Sequence, residues 1–274
     1  MRRAAKRTKT KRTKSKRIKR AGPRKKLLKK RRLMWVYKVR SRRSGKRYVV
    51  KGYRRYRDAL RERRAIRACA GHPNIVRLHR FIVRRRKYYV VLKWVRGPLL
   101  SRVIRRRGPL PPLKVIDIAL EVLAGVKQIH SAGFVHGDLH AGNVILTSYK
   151  KPRAVIIDFQ HAVRKNQRGK ARSIRRLARP PLKLAPESRR RWLDDSYDLY
   201  GVGYMCAHML LGKPPRRRIR RVRERGKLRA LWLVIHKALR RKPAARYRSA
   251  EEMIAALEAV RKELSEAGEP GSPA

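Results

Sequence analysis

The sequence predicts an α+β protein in two lobes, a small antiparallel β-sheet with one helix followed by a larger, mainly helical lobe. Three features carry that expectation. The 274 residues are 42% hydrophobic despite a formal charge of +63, enough apolar surface for a core at a length suited to one large domain or two packed lobes. Short β-rich runs separated by turn residues fill the stretch before Gly97. Beyond Gly97 the apolar residues recur at helical spacing instead.

Residues 1–32 hold 19 of the 80 Lys+Arg and no acid. Such a block repels itself and has little apolar surface to bury, so it is expected to be a disordered polybasic tail. From Leu33 the β-rich runs 33–39 and 47–51 are joined through Ser44-Gly45, which reads as a hairpin. A helix is expected from Asp58 to about residue 70, stopped by Gly71 and Pro73. Strands over 75–83 and 88–95 complete a first lobe spanning 33–95. In the second lobe, 96–265, the apolar positions Val115, Ile118, Ala119, Val122, Leu123 and Val126 mark a long helix. Two short strands over 143–147 and 154–158 follow, then helices over 196–211, 228–239 and 250–264. The Gly/Pro/Ser-rich residues 266–274 read as a flexible C-terminus.

No apolar run reaches the roughly 18 residues that a membrane span needs, and the basic start is unlike a secretory leader. A soluble, intracellular protein without membrane contact is expected. Cys69 and Cys206 both lie in apolar, helix-like stretches, which points to packing rather than to a disulfide or a metal site.

The chemistry is concentrated in Val135-His136-Gly137-Asp138-Leu139-His140-Ala141-Gly142-Asn143 and in Ile157-Asp158-Phe159-Gln160. A carboxylate and an amide stand five residues apart, and a second carboxylate ends a strand 20 residues past the first. Phosphoryl transfer needs such groups: one Asp to orient a hydroxyl, and an amide with another Asp to hold Mg²⁺ on nucleotide phosphates.

From about residue 35 to 257 the chain resembles the protein kinase superfamily, in its eukaryotic-like Ser/Thr branch. Val49-Val50-Lys51, Glu62, Gly71-His72-Pro73-Asn74, Leu184-Ala185-Pro186-Glu187, Asp195 to Gly203 and Lys242-Pro243-Ala244-Ala245-Arg246 all fall in kinase order. The resemblance implies a two-lobed kinase fold using ATP and Mg²⁺. It implies that Asp138 is the catalytic Asp and that Lys51, held by Glu62, positions the phosphates. Asn143 and Asp158 would be the metal ligands. Leu92 would be the gatekeeper before a hinge containing Lys93 and Val95, and Val49 and Ile145 would contribute to nucleotide binding. His136 and Phe159 would pack in the regulatory spine, Asp198 would anchor the catalytic loop, and Arg246 would pair with Glu187. Only 17 acids exist, and Glu62, Asp138, Asp158, Glu187 and Asp198 all occupy these positions.

The pattern departs from the family in identifiable places. Lys29, Arg31 and Met34 stand where three glycines of the phosphate-covering loop belong, so backbone amides cannot approach phosphates as closely. Side chains of Lys29, Lys30, Arg31 and Arg32 would have to substitute by charge. Gly137 replaces the Arg that would receive an activation-segment phosphate, His140 replaces a Lys beside the transferred phosphate, and Gln160 replaces a glycine. Arg179-Pro180-Pro181 differs from the usual substrate loop. Ser/Thr acceptors are favoured because no tyrosine-kinase loop motif is present.

Runs such as Arg84-Arg85-Arg86-Lys87, Arg189-Arg190-Arg191 and Arg216-Arg217-Arg218 attract phosphate backbones without sequence preference. With 7% aromatic residues and no reading motif, sequence-specific recognition has little support, and a solvated basic surface is the alternative. The expected partners are a protein substrate, acidic acceptors favoured by the basic cleft, and nonspecific nucleic acid. The tail fits a nuclear-localisation pattern, and the His-Gly-Asp loop resembles that of poxvirus-type kinases, so a nucleus, nucleoprotein particle or virion is the expected setting. Two alternatives to a protein kinase stay open: a pseudokinase acting as a basic nucleic-acid-binding or packaging module, and a small-molecule kinase.

Overall fold

In the computed structural model, residues 24–31, 33–165, 185, 193–215 and 226–266 are described. Residues 1–23, the 179–181 segment, Glu187, both later Arg runs (189–191 and 216–218) and residues 267–274 lie outside them.

Five strands form the first lobe: β1 (Arg24–Arg31), β2 (Met34–Arg40), β3 (Arg47–Tyr53), β4 (Leu78–Arg84) and β5 (Lys87–Lys93). They pair antiparallel in the order β1-β2-β3-β5-β4. The expectation of a disordered tail up to residue 32 is corrected here, because Arg24–Arg31 is a strand and the first lobe reaches back at least to Arg24. Its ladder with β2 runs from Arg24↔Arg40 to Arg31↔Met34, with a bulge between Leu27 and Lys29. Like charges stand opposite each other at Arg24↔Arg40 and Lys26↔Lys38, which weakens the pairing, but the ladder uses backbone groups while Lys25, Lys26, Lys29 and Lys30 remain in solvent, where their repulsion is screened.

Helix α1 (Tyr56–Ala68) buries Ala59, Glu62, Ala65 and Ile66, and it packs against β3, β4 and β5. The strand expected from residue 75 starts at Leu78 instead. Ile75 makes a parallel bridge to Ile156 of the second lobe, where Ile156 N–H donates to the Asn74 carbonyl at 2.7 Å. The buried Asn74 side chain donates to Glu121 at 2.7 Å and to the Ala154 carbonyl at 2.8 Å. This junction fixes the base of α1 against the second lobe.

The second lobe holds α2 (Leu100–Arg107), α3 (Pro112–Ser131), α4 (Asp195–Leu211), α5 (Arg229–Ala238) and α6 (Ala250–Glu266). Between α3 and α4 lie two short ribbons, β6 (Phe134–Val135) with β9 (Val163–Arg164), and β7 (Val144–Ser148) with β8 (Arg153–Ile156). Helix α3 is buried at Val115, Ile118, Val122, Val126 and Ile129 and packs on both α4 and α6. Helix α4 presses on the loop that follows β6 at Gly201, where a Cβ would stand 2.6 Å from the Leu139 carbonyl oxygen. Both cysteines are buried and unpaired. Among the described residues no helix is long and apolar enough to cross a membrane.

Candidate active site

Strand alternation puts Lys51 and Tyr53 on the sheet face that α1 covers, and Glu62 meets them from the buried side of the helix. Lys51 Nζ lies 2.5 Å from Glu62 Oε1 and 2.8 Å from Asp158 Oδ1. The Tyr53 hydroxyl donates to the other Glu62 oxygen. Burial by itself would lower the Lys51 pKa, but Asp158 and Glu62 more than offset it, and the ammonium is held well above its ordinary value. Burial likewise favours protonation of Asp158, yet Lys51, with smaller help from Lys29 and His161, holds it well below the usual carboxylate range. Asp158 adopts a left-handed backbone with φ 68°, costly for a residue with a Cβ by about 1–3 kcal/mol, and Lys51 holds its carboxylate there.

A second cluster surrounds Asp138. Asp198 Oδ2 accepts the His136 N–H at 2.7 Å and the His130 Nε2–H at 3.0 Å, while its Oδ1 accepts the Gly137 N–H at 3.0 Å. Gly137 itself has φ 76°, a backbone that favours glycine. The His136 ring meets Phe159 edge-on at 4.9 Å, and its Nε2 donates to the Ile157 carbonyl at 3.2 Å. Asn143 Nδ2 donates to the Asp138 carbonyl at 2.8 Å and to Asp138 Oδ2 at 3.2 Å. His140 Nε2 stands 3.6 Å from Asp138 Oδ1. Burial would raise the Asp138 pKa, but His140, His161 and His136 together keep it lowered.

The two clusters are joined by the Ile157 N–H, which donates to the Asn143 carbonyl at 2.9 Å. The Asn143 amide nitrogen is taken by Asp138 and Asp158 Oδ1 by Lys51, which among the described residues leaves Asn143 Oδ1 and Asp158 Oδ2 as oxygens that would suit a cation. Oxygen donors of this kind suit Mg²⁺, which keeps waters and phosphates as its remaining ligands. Accordingly, no cluster of three His, Cys, Asp or Glu forms a closed metal cage among the described residues.

Other expected residues fall into two groups. Val49 and Leu92 are cross-strand partners, and the half-buried Ile145 bridges to Leu99 beneath the hinge. Lys93 is exposed and its N–H donates to the Arg77 carbonyl at 2.9 Å. Arg246 is 2% exposed and donates to the carbonyls of Arg240, Ser196 and Arg241, but its expected partner Glu187 is outside the described residues. Lys29 pairs with Val36 across the ladder, and Val36 also pairs with Lys51, so Lys29 shares the Lys51 face. Sequence reasoning did not find Tyr53, His130 or His161. Tyr53 carried a usable signal, two residues past Lys51 on one strand face; the histidines had none.

A lysine between the buried Glu62 and the half-buried Asp158, beside an anchored Asp and Asn, defines a phosphotransferase-type cleft of two lobes. Residues 33–263 match the family model for the protein kinase domain, and the chain belongs to that family. It is similar to Serine/threonine-protein kinase PkaA of Streptomyces coelicolor, 30% identical over 158 residues, which cover 57% of this chain and 29% of that protein. Serine/threonine-protein kinase ULK3 of Rattus norvegicus is 34% identical over 146 residues, 53% of this chain and 30% of that protein. Serine/threonine-protein kinase PknA of Nostoc sp. is 28% identical over 190 residues, 63% and 33% of the two chains. The chain thus spans about a third or less of the length of these curated relatives.

Proposed function

We propose that the protein is an ATP- and Mg²⁺-dependent kinase that phosphorylates Ser/Thr hydroxyls of other proteins. The observation that carries the reading is Lys51, held at 2.5 Å by Glu62 and at 2.8 Å by Asp158. Lys51 is positioned to orient nucleotide phosphates, and Val49, Leu92, Lys93, Val95 and Ile145 to seat the base. Asn143 and Asp158 hold the cation, which when bound neutralises charge on the phosphates. Asp138, kept ionised by the surrounding histidines, accepts the acceptor hydroxyl's proton. Lys29, facing the cleft from β1, supplies by charge part of what the missing glycines would supply through amides. The remaining work is positioning and electrostatic stabilisation.

The test is phosphate transfer from radiolabelled ATP to acidic, neutral and basic acceptors. Acidic acceptors should be favoured, and Lys51→Met or Asp158→Asn should abolish incorporation; unchanged incorporation overturns the assignment. The basic surface supports association with nucleic acid or nucleoprotein, lost as salt rises. Buried Met34, 3% exposed where a loop glycine is expected, favours a second reading, a pseudokinase binding module. Nucleotide binding without transfer to any protein would select it.

A further inference from the structure

The face of the first-lobe sheet turned away from α1 has no role in the chemistry above. Lys51 marks the inner face by reaching Glu62, so its neighbours Val50 and Gly52 mark the outer one. Their ladder partners place Tyr37, Trp35 and Tyr89 on that outer face, and Tyr48 shares it by alternation. All four aromatic side chains are half-buried. The Trp35 indole lies across Gly52, where a Cβ would be 2.3 Å from the ring, and meets Tyr89 edge-on with centroids 6.4 Å apart. Tyr48 stacks on His79 at 4.6 Å.

The rim of this face is cationic. Lys25 and Lys30 join it from β1 and Arg80 from β4, all exposed, and Lys87 Nζ lies 5.9 Å from the Trp35 ring. None of the five strands contains an Asp or Glu. An aromatic surface whose border also carries the exposed Leu27 and Ile82, and whose only charged groups on these strands are cations, is complementary to a chain that offers both unstacked π-faces and phosphates. Single-stranded nucleic acid offers both, whereas in a duplex the base faces are already stacked on one another.

We infer that the outer sheet face is a binding platform for single-stranded nucleic acid, its aromatic rings stacking on bases and its rim cations meeting phosphates. This deepens the nucleic-acid association proposed above by naming the surface and the strand state, and it is independent of phosphoryl transfer. Same-face neighbours such as Trp35 and Tyr37 stand about 6.5–7 Å apart along a strand, so each can seat a different base.

The test is fluorescence anisotropy of the full chain with labelled oligothymidylate and with a duplex carrying as many phosphates, at physiological salt. The single strand should bind at least about tenfold more tightly. Tyr37→Leu and Tyr48→Leu keep apolar packing on the sheet, and each should weaken oligothymidylate binding roughly five- to hundredfold while changing duplex binding less than about twofold. Lys30→Glu should weaken both ligands. Wild-type melting curves for the Leu variants show that the fold is kept; if either fails to melt normally, Tyr37→Phe, which preserves a ring, should retain binding.

Equal affinity for the two nucleic acids overturns the inference. So does oligothymidylate binding that ignores both Leu variants, an outcome that leaves the salt-dependent association standing. A dimer released by Tyr37→Leu, with oligonucleotide binding unchanged, would assign the face to a second copy and overturn the inference. Failure of the protein to bind any nucleic acid removes both the platform and the association.

Discussion

Replacing Asp198 by Asn tests how the loop that carries Asp138 is held. Asp198 is 1% exposed and accepts the adjacent His136 and Gly137 N–H groups at 2.7 and 3.0 Å with its two oxygens. A carboxamide keeps the shape but has one oxygen. Whichever N–H retains it, the other faces an NH₂ group, and His130 Nε2 at 3.0 Å loses its anion. One charge-assisted bond is worth about 1.5–3 kcal/mol, and a stranded buried donor costs about 1–3 kcal/mol more. Together these bracket the about 3–5 kcal/mol that removing one partner of a buried charged pair costs. Because whole domains are stable by only about 5–15 kcal/mol, the variant should fold with a thin margin.

At about 2–4 °C per kcal/mol for a domain of this size, Tm should fall by roughly 6–20 °C, read by circular dichroism. Activity should fall in kcat more than in KM, because Gly137 directly precedes Asp138 and a displacement of about 1 Å can cost on the order of 10²-fold. A variant that melts within about 2 °C of the parent and keeps its kcat would refute the anchoring role.

Three further outcomes are expected. Lys29→Ala should raise KM for ATP about two- to fivefold in steady-state assays with kcat nearly unchanged, as suits an exposed charge near phosphates; no change in KM would remove Lys29 from the cleft. Urea unfolding should show stability falling as pH drops below about 6.5, the ordinary value from which burial lowers the pKa of His161 and His208, because these histidines take up protons on unfolding. A second loss should follow below about 3.8 as Asp138 and Asp198, whose pKa values are lowered in the fold, become protonated; a rise in stability from pH 7 to 5 would contradict the histidine sign, and a rise below 3.8 the carboxylate sign. Burial pushes the Cys69 thiol up to about 11 and Cys206 up to about 12, so a thiol reagent at pH 8 should leave both unmodified until denaturant is added.

Much of this architecture was legible in the sequence because its signals are local. Helical spacing from Val115 onward marks α3, observed over Pro112–Ser131, and the run ending at Lys51 marks β3. Fixed motif spacings led to Lys51, Glu62, Asp138, Asn143 and Asp158, which the fold brings into two linked clusters. What stayed illegible depends on pairing between distant segments. β1 was hidden because a cation-rich run reads as solvated chain, and only its ladder with β2 satisfies its backbone. His130 reaches Asp198 through packing of helices 68 residues apart in sequence, so no spacing announces it.

The scarcity of acids explains why the site could be read at all amid so many cations. A solvated surface charge is cheap to place and carries little information, whereas a carboxylate buried without partners is costly. Glu62, taken alone, reads as an ordinary exposed helix charge, yet it is fully buried between Lys51 and Tyr53. Elsewhere acids also meet specific groups: Glu121 takes Asn74 at the junction of the lobes, and Asp195 takes Lys165 at 2.7 Å. With 17 acids against 80 Lys+Arg, an unneeded acid would find a cation almost anywhere on the surface. That Glu62 and Asp198 are instead buried among the described residues, one beside Lys51 and the other beneath the loop that carries Asp138, points to the negative charges as markers of the proposed chemistry, while the positive excess is left to act on what the protein meets.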